Sequence, residues 1–342
     1  MNSFLLEKGR GAVSGNKSIG SRIKAGLSLF IAAFLMLQPV CAEAKAAKRI
    51  GMLLFGGESR YLAQRKGALE QLAKEGFREP GVKYFIENAG GSKAKAAEIA
   101  RNFTSLKLDL IFAFGTSAAL AVANEIKDVP LVCGAYDPVE SGLALQWKSS
   151  GNNTTGVSPK FPLSRLISNL KELAPVQRIG VLYTPHEKNS EAVLTDLVEL
   201  QNSFRIRIVP VPLTLAEEIP KLLPEVLRVV DAIYLTGSGI VGKNAVSIVD
   251  SATRAKVLTV SHLDDLAKDG VLLSMAANQY RMGRLAGEKG AKILKRGVNP
   301  SAIPFETLPL KELDLILNMK TARKGGFLIA PSFMKKVSKT VD

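Results

Sequence analysis

Histidine and cysteine are nearly absent from this chain, at two residues each among 342. His186 and His262 stand far apart, and there is no H-x-x-H pair and no cysteine cluster. A zinc or iron site is therefore not expected on donor supply, and no metal and no cofactor is expected. No Ser-His-Asp set can be argued from spacing, because Ser117 lacks a G-x-S-x-G elbow. Paired carboxylates for acid–base work are also missing, so no catalytic residue is assigned and the chain is not expected to be an enzyme. Aromatic residues make up 6% of the chain and do not interleave with its basic residues, which removes the stacking platform that nucleic acid needs. No low-complexity linker is present, so ordered crossovers, not a floppy tether, join whatever domains exist.

The first 44 residues read as a secretory signal peptide. Lys8, Arg10, Lys17, Arg22 and Lys24 form a basic start, Ala25 to Leu37 is apolar but short for a bilayer span, and Ala42-Glu43-Ala44 supplies an A-x-A cleavage site. Cleavage after Ala44 leaves a product outside the cytoplasm. Gln38 and Val40 suit a lipobox poorly, so lipid anchoring at Cys41 is disfavoured. Cys133 is then the sole cysteine of the mature chain and cannot form an internal disulfide; its apolar surroundings, Val129 to Gly134, mark a packing thiol. The formal charge is +15, of which the mature part keeps +12. Its basic residues are scattered over predicted solvent-facing helix surfaces, which fits solvation better than an acidic partner.

What is abundant is alternation. Ile50 to Phe55, Val82 to Glu87, Leu108 to Phe114 and Pro130 to Gly134 are predicted strands with amphipathic helices between them. From Arg178 the scheme starts again, with strands at Ile206 to Val211, Ala232 to Leu235, Val257 to Val260, Val271 to Met275 and Leu315 to Leu317. Such alternation gives right-handed βαβ units and parallel sheets. The predicted fold is α/β, with two Rossmann-like lobes whose sheets are flanked by helices. Ligands of such sheets lie beyond the carboxyl ends of the strands. That rule selects the loops Gly56 to Tyr61, Gly115 to Ser117, Tyr136 to Pro138, Gly156 to Ser158, Thr184 to Ser190, Gly237 to Gly239, and Ser261-His262.

Three of these loops carry motifs. Gly237 to Gly242 fits G-x-G-x-x-G, but it does not follow the first strand of its sheet and lacks a ribose-binding acid before Asp264, so a tight turn is preferred over a dinucleotide cradle. Gly115-Thr116-Ser117 opens a helix, where free N–H groups and two hydroxyls can seat a carboxylate or phosphate, or simply cap the helix. Asp137-Pro138 fits an N-cap followed by proline at the first helical position, and capping is its preferred role over holding a ligand ammonium.

Several stretches together resemble one family. Asp137 to Leu143 is similar to its DPV-x-[AS]-GL segment and Gly151 to Ser158 to its GxNxTGVS crossover. Ile179 to Pro185, with Glu187, Asn189 and Ser190, is similar to its GVLYNPxExNS loop. Tyr280, Gly283, Arg284, Gly297 and Asn318 resemble its closing helix and tail. The family is the ABC transporter substrate-binding proteins of the tryptophan/tyrosine type, which have the type I periplasmic binding protein fold. The resemblance implies lobes joined by three crossovers, with residues 45–158 plus 271–305 in lobe 1 and 159–270 plus 306–342 in lobe 2. It implies hinge closure on a small polar or anionic, amino-acid-like solute. Members that bind aromatic amino acids carry acidic residues where this chain has Ser238 and Asn278, which counts against an ammonium-bearing ligand.

The combined expectation is a monomeric, periplasmic solute-binding protein that serves an ABC permease of the inner membrane. Glu58, Tyr61, Thr116, Ser117, Tyr136, Asp137, Ser158, Tyr183, Glu187, Asn189, Ser190, Ser238 and Asn278 are its candidate ligand-binding residues. Thr116 and Ser117 are expected to seat an acid end, and Tyr61, Tyr136 or Tyr183 to pack on an apolar body. A sensing module for a membrane receptor is the alternative, followed by a nucleotide-dependent enzyme.

Overall fold

The computed structural model describes residues 46–342. The expected signal peptide, its cleavage site and Cys41 lie outside the described residues. The first lobe begins β1 (Lys48–Leu54), α1 (Ser59–Lys74), β2 (Val82–Asn88), α2 (Lys93–Thr104), β3 (Leu110–Phe114), α3 (Thr116–Glu125), β4 (Leu131–Gly134) and β5 (Thr154–Ser158). The chain then crosses into α4 (Ser164–Leu173), β6 (Arg178–Tyr183), α5 (Lys188–Glu199), α6 (Gln201–Phe204), β7 (Arg207–Pro212), α7 (Ile219–Leu227), β8 (Ala232–Leu235), α8 (Gly239–Lys243), α9 (Ala245–Arg254), β9 (Leu258–Ser261), α10 (Asp264–Lys268) and β10 (Leu273–Ala277). It returns through α11 (Gln279–Arg296) and β11 (Glu306–Thr307), and finishes with β12 (Leu313–Asn318), α12 (Met319–Gly325), α13 (Pro331–Met334) and β13 (Lys339–Val341).

Two sheets result. The first has the order β11-β5-β4-β3-β1-β2 and is parallel throughout. The second has the order β13-β12-β10-β9-β8-β6-β7 and is parallel except where β12 runs against β10. The β3 run Leu110 to Phe114 is buried at every position, as a parallel strand covered on both faces must be. Cys133 sits in β4 at 0% exposure, and burial pushes its thiol up to about 12, so it packs as a hydrophobe.

Sheet membership departs from the expected lobe boundaries at two points. Leu273–Ala277 belongs to the second sheet, between β9 and β12, and not to the first; the chain returns only after Ala277. Glu306–Thr307 pairs with β5 in the first sheet, so the last crossing follows it. An apolar run carries no mark of which sheet it joins; pairing with the antiparallel β12 decides it. Three crossings between lobes remain.

The buried face of α1 is largely polar or small. Arg60, Tyr61, Gln64, Gly67, Ala68, Gln71 and Leu72 are buried, while Leu62 is 39% exposed. The reason is α11, which packs on α1 at backbone distance. A methyl on Gly283 would run into the Gln64 carbonyl, and one on Gly67 into the Tyr280 carbonyl. Neither neighbour is a flexible side-chain tip, so the helices must separate to admit a β-carbon. Gly283→Ala is expected to cost about 1–3 kcal/mol through this overpacking, read as a lowered denaturant midpoint at unchanged m-value.

Candidate functional site

The carboxyl ends of β1, β3 and β4 in the first sheet face those of β6, β8 and β9 in the second. Between them lies a cavity of ≈ 50 Å³, lined by Arg60, Tyr61, Gln64, Thr116, Tyr136, Asn189, His262 and Gln279 together with backbone of Gly115, Gly134 and Gly237. Two hollows of ≈ 670 and ≈ 700 Å³ lie elsewhere. The first sits at the amino ends of the first sheet, beside Lys48, Asp109 and Pro130. The second is a groove at the hinge, lined by Trp147, Lys160, Asp196 and Leu308. The first is at the opposite ends of the strands from those where such sheets take ligands, and the second lies past the carboxyl ends of β4, β5 and β11, along the crossovers.

Side chains from both lobes close the cleft. Arg60 Nη1 on α1 donates to Asp265 Oδ2 on α10 at 2.7 Å, and both side chains are under 10% exposed. Arg60 Nη2 lies 3.5 Å from Glu58 Oε1 and makes no hydrogen bond. Burial alone would lower the guanidinium pKa, but Asp265, Tyr61 and Glu58 hold it above its ordinary value. Tyr136 leaves the first lobe, packs among the second lobe's core residues and donates its hydroxyl to Asp196 at 2.9 Å. Lys160 Nζ bridges Asp137 and Asp196 at 2.7 and 2.8 Å. At the rim, Lys93 donates to the His186 carbonyl and Lys243 to the Gly90 carbonyl.

The first lobe presents its ligand-facing backbone at α3. Gly115 adopts φ 107°, and a β-carbon there would strike Phe55 and crowd the Tyr61 ring. Glycine is thus required by both conformation and space. The first N–H groups of α3 have no side-chain cap, because the N-cap is Gly115; the Thr116 hydroxyl accepts the Tyr136 N–H at 3.2 Å. On the opposite wall His262 stacks with Tyr234, meets Tyr136 edge-on, and shares a 2.9 Å hydrogen bond between its Nδ1 and the Tyr234 hydroxyl. Burial, followed by the nearby Arg60 charge, pushes His262 down to about 3, so the ring is neutral at physiological pH.

Of the residues singled out from sequence, Tyr61, Thr116, Tyr136 and Asn189 come together on the cavity. Glu58 lines an adjoining outer hollow of ≈ 350 Å³ with Asp265 and Asp269. The others stand around the cleft in fastening roles. Asp137 accepts the Val139 and Glu140 N–H groups as a helix-type cap and pairs with Lys160. Ser158 donates to the Tyr136 carbonyl. Ser190 and Thr184 hold each other, and the Thr184 hydroxyl in turn meets Ser238, which caps α8 through the Val241 N–H. Glu187 accepts the Gly239 N–H, and Asn278 caps α11. Ser117 and Tyr183 are half-buried, at the start of α3 and the end of β6.

Sequence reasoning missed Gln64 and Gln279, and reached Arg60 and His262 only as parts of loops. A signal existed for two of them. Arg60 and Gln64 are four residues apart, in register with Ala68 and Gln71 on one helical stripe, and polar residues on a buried stripe mark a site.

The sequence profile of the family described as ABC transporter substrate binding protein matches residues 51–341. A tyrosine-binding protein of Clostridioides difficile is 25% identical over 284 residues, covering 82% of this chain and 81% of its own length. The crystal structure of an ABC domain in complex with L-Trp from Streptococcus pneumoniae superposes with a TM-score of 0.82 at 25% identity, covering 86% of this chain and all of its own. The ligand-free, open structure of a substrate-binding protein with adhesive properties from Clostridium difficile gives 0.67 at 26% identity, covering 86% and 99%. Identity and coverage are almost equal in the two structures, so the lower score fits a different setting of the lobes. Among the described residues no helix is long and apolar enough to cross a membrane, and no group of His, Cys, Asp and Glu is placed to hold a metal.

The neutral His262 has a measurable consequence. Unfolded, it takes a proton near 6.5; folded, only near 3. Between those values the unfolded chain holds the extra proton, so this residue removes up to about 1.4 kcal/mol of stability per pH unit as pH falls. Asp264 acts oppositely, because burial and Asp265 raise its carboxyl to about 6 in the folded state. His262→Gln is expected to flatten the fall of Tm between pH 6.5 and 3, and Asp264→Asn to steepen it, as measured by calorimetry across that range.

Proposed function

The chain belongs to the family of ABC transporter substrate-binding proteins, and from that premise we propose that it captures a small polar or anionic solute outside the cytoplasm and delivers it to a membrane permease. The observation that carries this reading is the convergence of strand-end loops from both sheets on one cavity, sealed by side chains from both lobes. A solute held there touches both lobes only when they meet, so its binding energy favours the closed arrangement. The likeness to an L-Trp complex supports the same reading. The protein acts as a monomer, because one chain supplies both jaws, and no reaction or cofactor is needed for capture and release.

The solute is small as the cleft stands. A water needs roughly 10–15 Å³ of such space, and ≈ 50 Å³ is available. A solute with an aromatic ring requires the lobes to part or Arg60, Tyr61 and Gln64 to withdraw.

Native mass spectrometry of protein purified from its secreted fraction is expected to show one copurifying small molecule per chain. Adding that molecule at a hundred times its Kd is expected to stabilise the fold by about 2.7 kcal/mol. Absence of any bound solute, together with no thermal shift across a broad metabolite panel, would overturn solute capture.

A further inference from the structure

We infer that His262 determines specificity in this cleft: its ring presents a fixed Nε2–H donor to the cavity, and the solute it selects brings a carbonyl or carboxylate oxygen to that wall. The inference rests on the solute-capture reading and narrows it.

The tautomer follows from Tyr234. That side chain, on β8, is fully buried, and among the described residues its hydroxyl meets only His262 Nδ1, at 2.9 Å. Burial holds the phenol well above the ordinary tyrosine range, so it keeps its proton. That proton needs an acceptor, and Nδ1 is the one in reach. Burial and the Arg60 charge keep the imidazole neutral. A neutral ring whose Nδ1 accepts carries its own hydrogen on Nε2.

Nε2 is also the nitrogen that opens to the solute. Among the described residues it has no hydrogen-bond partner, yet it is not one of the side-chain atoms sealed from water without one. It therefore holds part of the ring's 3% exposure, and the ring lines the interlobe cavity. Gln64 Oε1, by contrast, is sealed. Stacking on Tyr234 and the edge contact with Tyr136 hold the imidazole plane. The donor is thus set before a solute arrives, and little side-chain freedom is lost on binding.

Selection by chemistry follows from the lining, which contains no Asp or Glu. A solute ammonium brought to His262 meets a hydrogen donor with no carboxylate beside it, and its desolvation goes uncompensated. A carbonyl or carboxylate oxygen meets its complement. A solute without such an oxygen leaves a buried N–H unpaired, which is a strong basis for rejection.

Histidine-selective nitrogen-15 labelling tests the tautomer directly, because the chain has two histidines and His186→Asn leaves His262 as the only imidazole. Long-range proton–nitrogen correlation at neutral pH is expected to show a protonated Nε2 and a bare Nδ1. Acetate, acetamide and methylammonium are small probes of the three solute groups. Acetate is expected to shift the Nε2–H resonance saturably and to bind at least tenfold more tightly than methylammonium. A matching shift with acetamide assigns a carbonyl oxygen in general, and a shift with acetate alone assigns a carboxylate. His262→Phe removes the donor and is expected to abolish the preference for acetate over methylammonium. If that variant does not fold, the spectra of the native ring decide. A ring protonated on Nδ1, an Nε2 signal that no probe moves, methylammonium binding as tightly as acetate, or an undiminished preference in H262F each overturns the inference. Each of these leaves solute capture standing, because that reading fails only when no solute copurifies and none in a broad panel stabilises the fold.

Discussion

A guanidinium shared between two lobes sets the terms for the rest of this molecule. Arg60 rides on α1 of the first lobe, and its strong partner, Asp265, lies in the first turn of α10 of the second. Neither charge is tolerable alone in a dry interior, but each is comfortable in water. Their contact therefore exists only with the lobes together, and parting them returns both ions to solvent at small net cost. The pairing specifies one closed geometry without locking it. The Tyr136–Asp196 and Lys160 contacts repeat the logic nearer the hinge, with Lys160 and Asp196 partly open to solvent.

Arg60 is held to its post by backbone. The glycine contacts between α1 and α11 fix the rotation of α1 about its axis, which aims Arg60 and Gln64 at the cleft and turns Leu62 out to solvent. The helix α11 reaches this position because the chain returns from the second sheet immediately before it, capped by Asn278. The crossover thus both links the lobes and supports α1.

Much of the architecture could be read from sequence, because alternating apolar strands and amphipathic helices have few solutions and the strand-end rule then names the loops. Tyr61, Thr116, Tyr136 and Asn189 followed from that rule. Its failures share a cause. The β10 run was assigned to the wrong sheet because hydrophobicity says that a strand is buried, not which neighbours pair with it. Gln64 and Gln279 were passed over, and Arg60 was named only within the loop Gly56 to Tyr61, because polar residues on helices default to solvent; the close approach of α11 is what buries Gln64. Ser190 and Ser238, in loops that the rule names, and Asn278, a position taken from the family resemblance, bond to nearby backbone, a choice that short polar side chains make locally and that position in the sequence does not disclose.

Trp147 is the one tryptophan of the chain, and it lies half-buried in the hinge groove with Lys160 and Leu308, where residues of both lobes meet. A lone indole at that junction is a fluorophore already in place. Its emission registers how far the jaws stand apart, so motion of this protein can be followed in real time with no label attached.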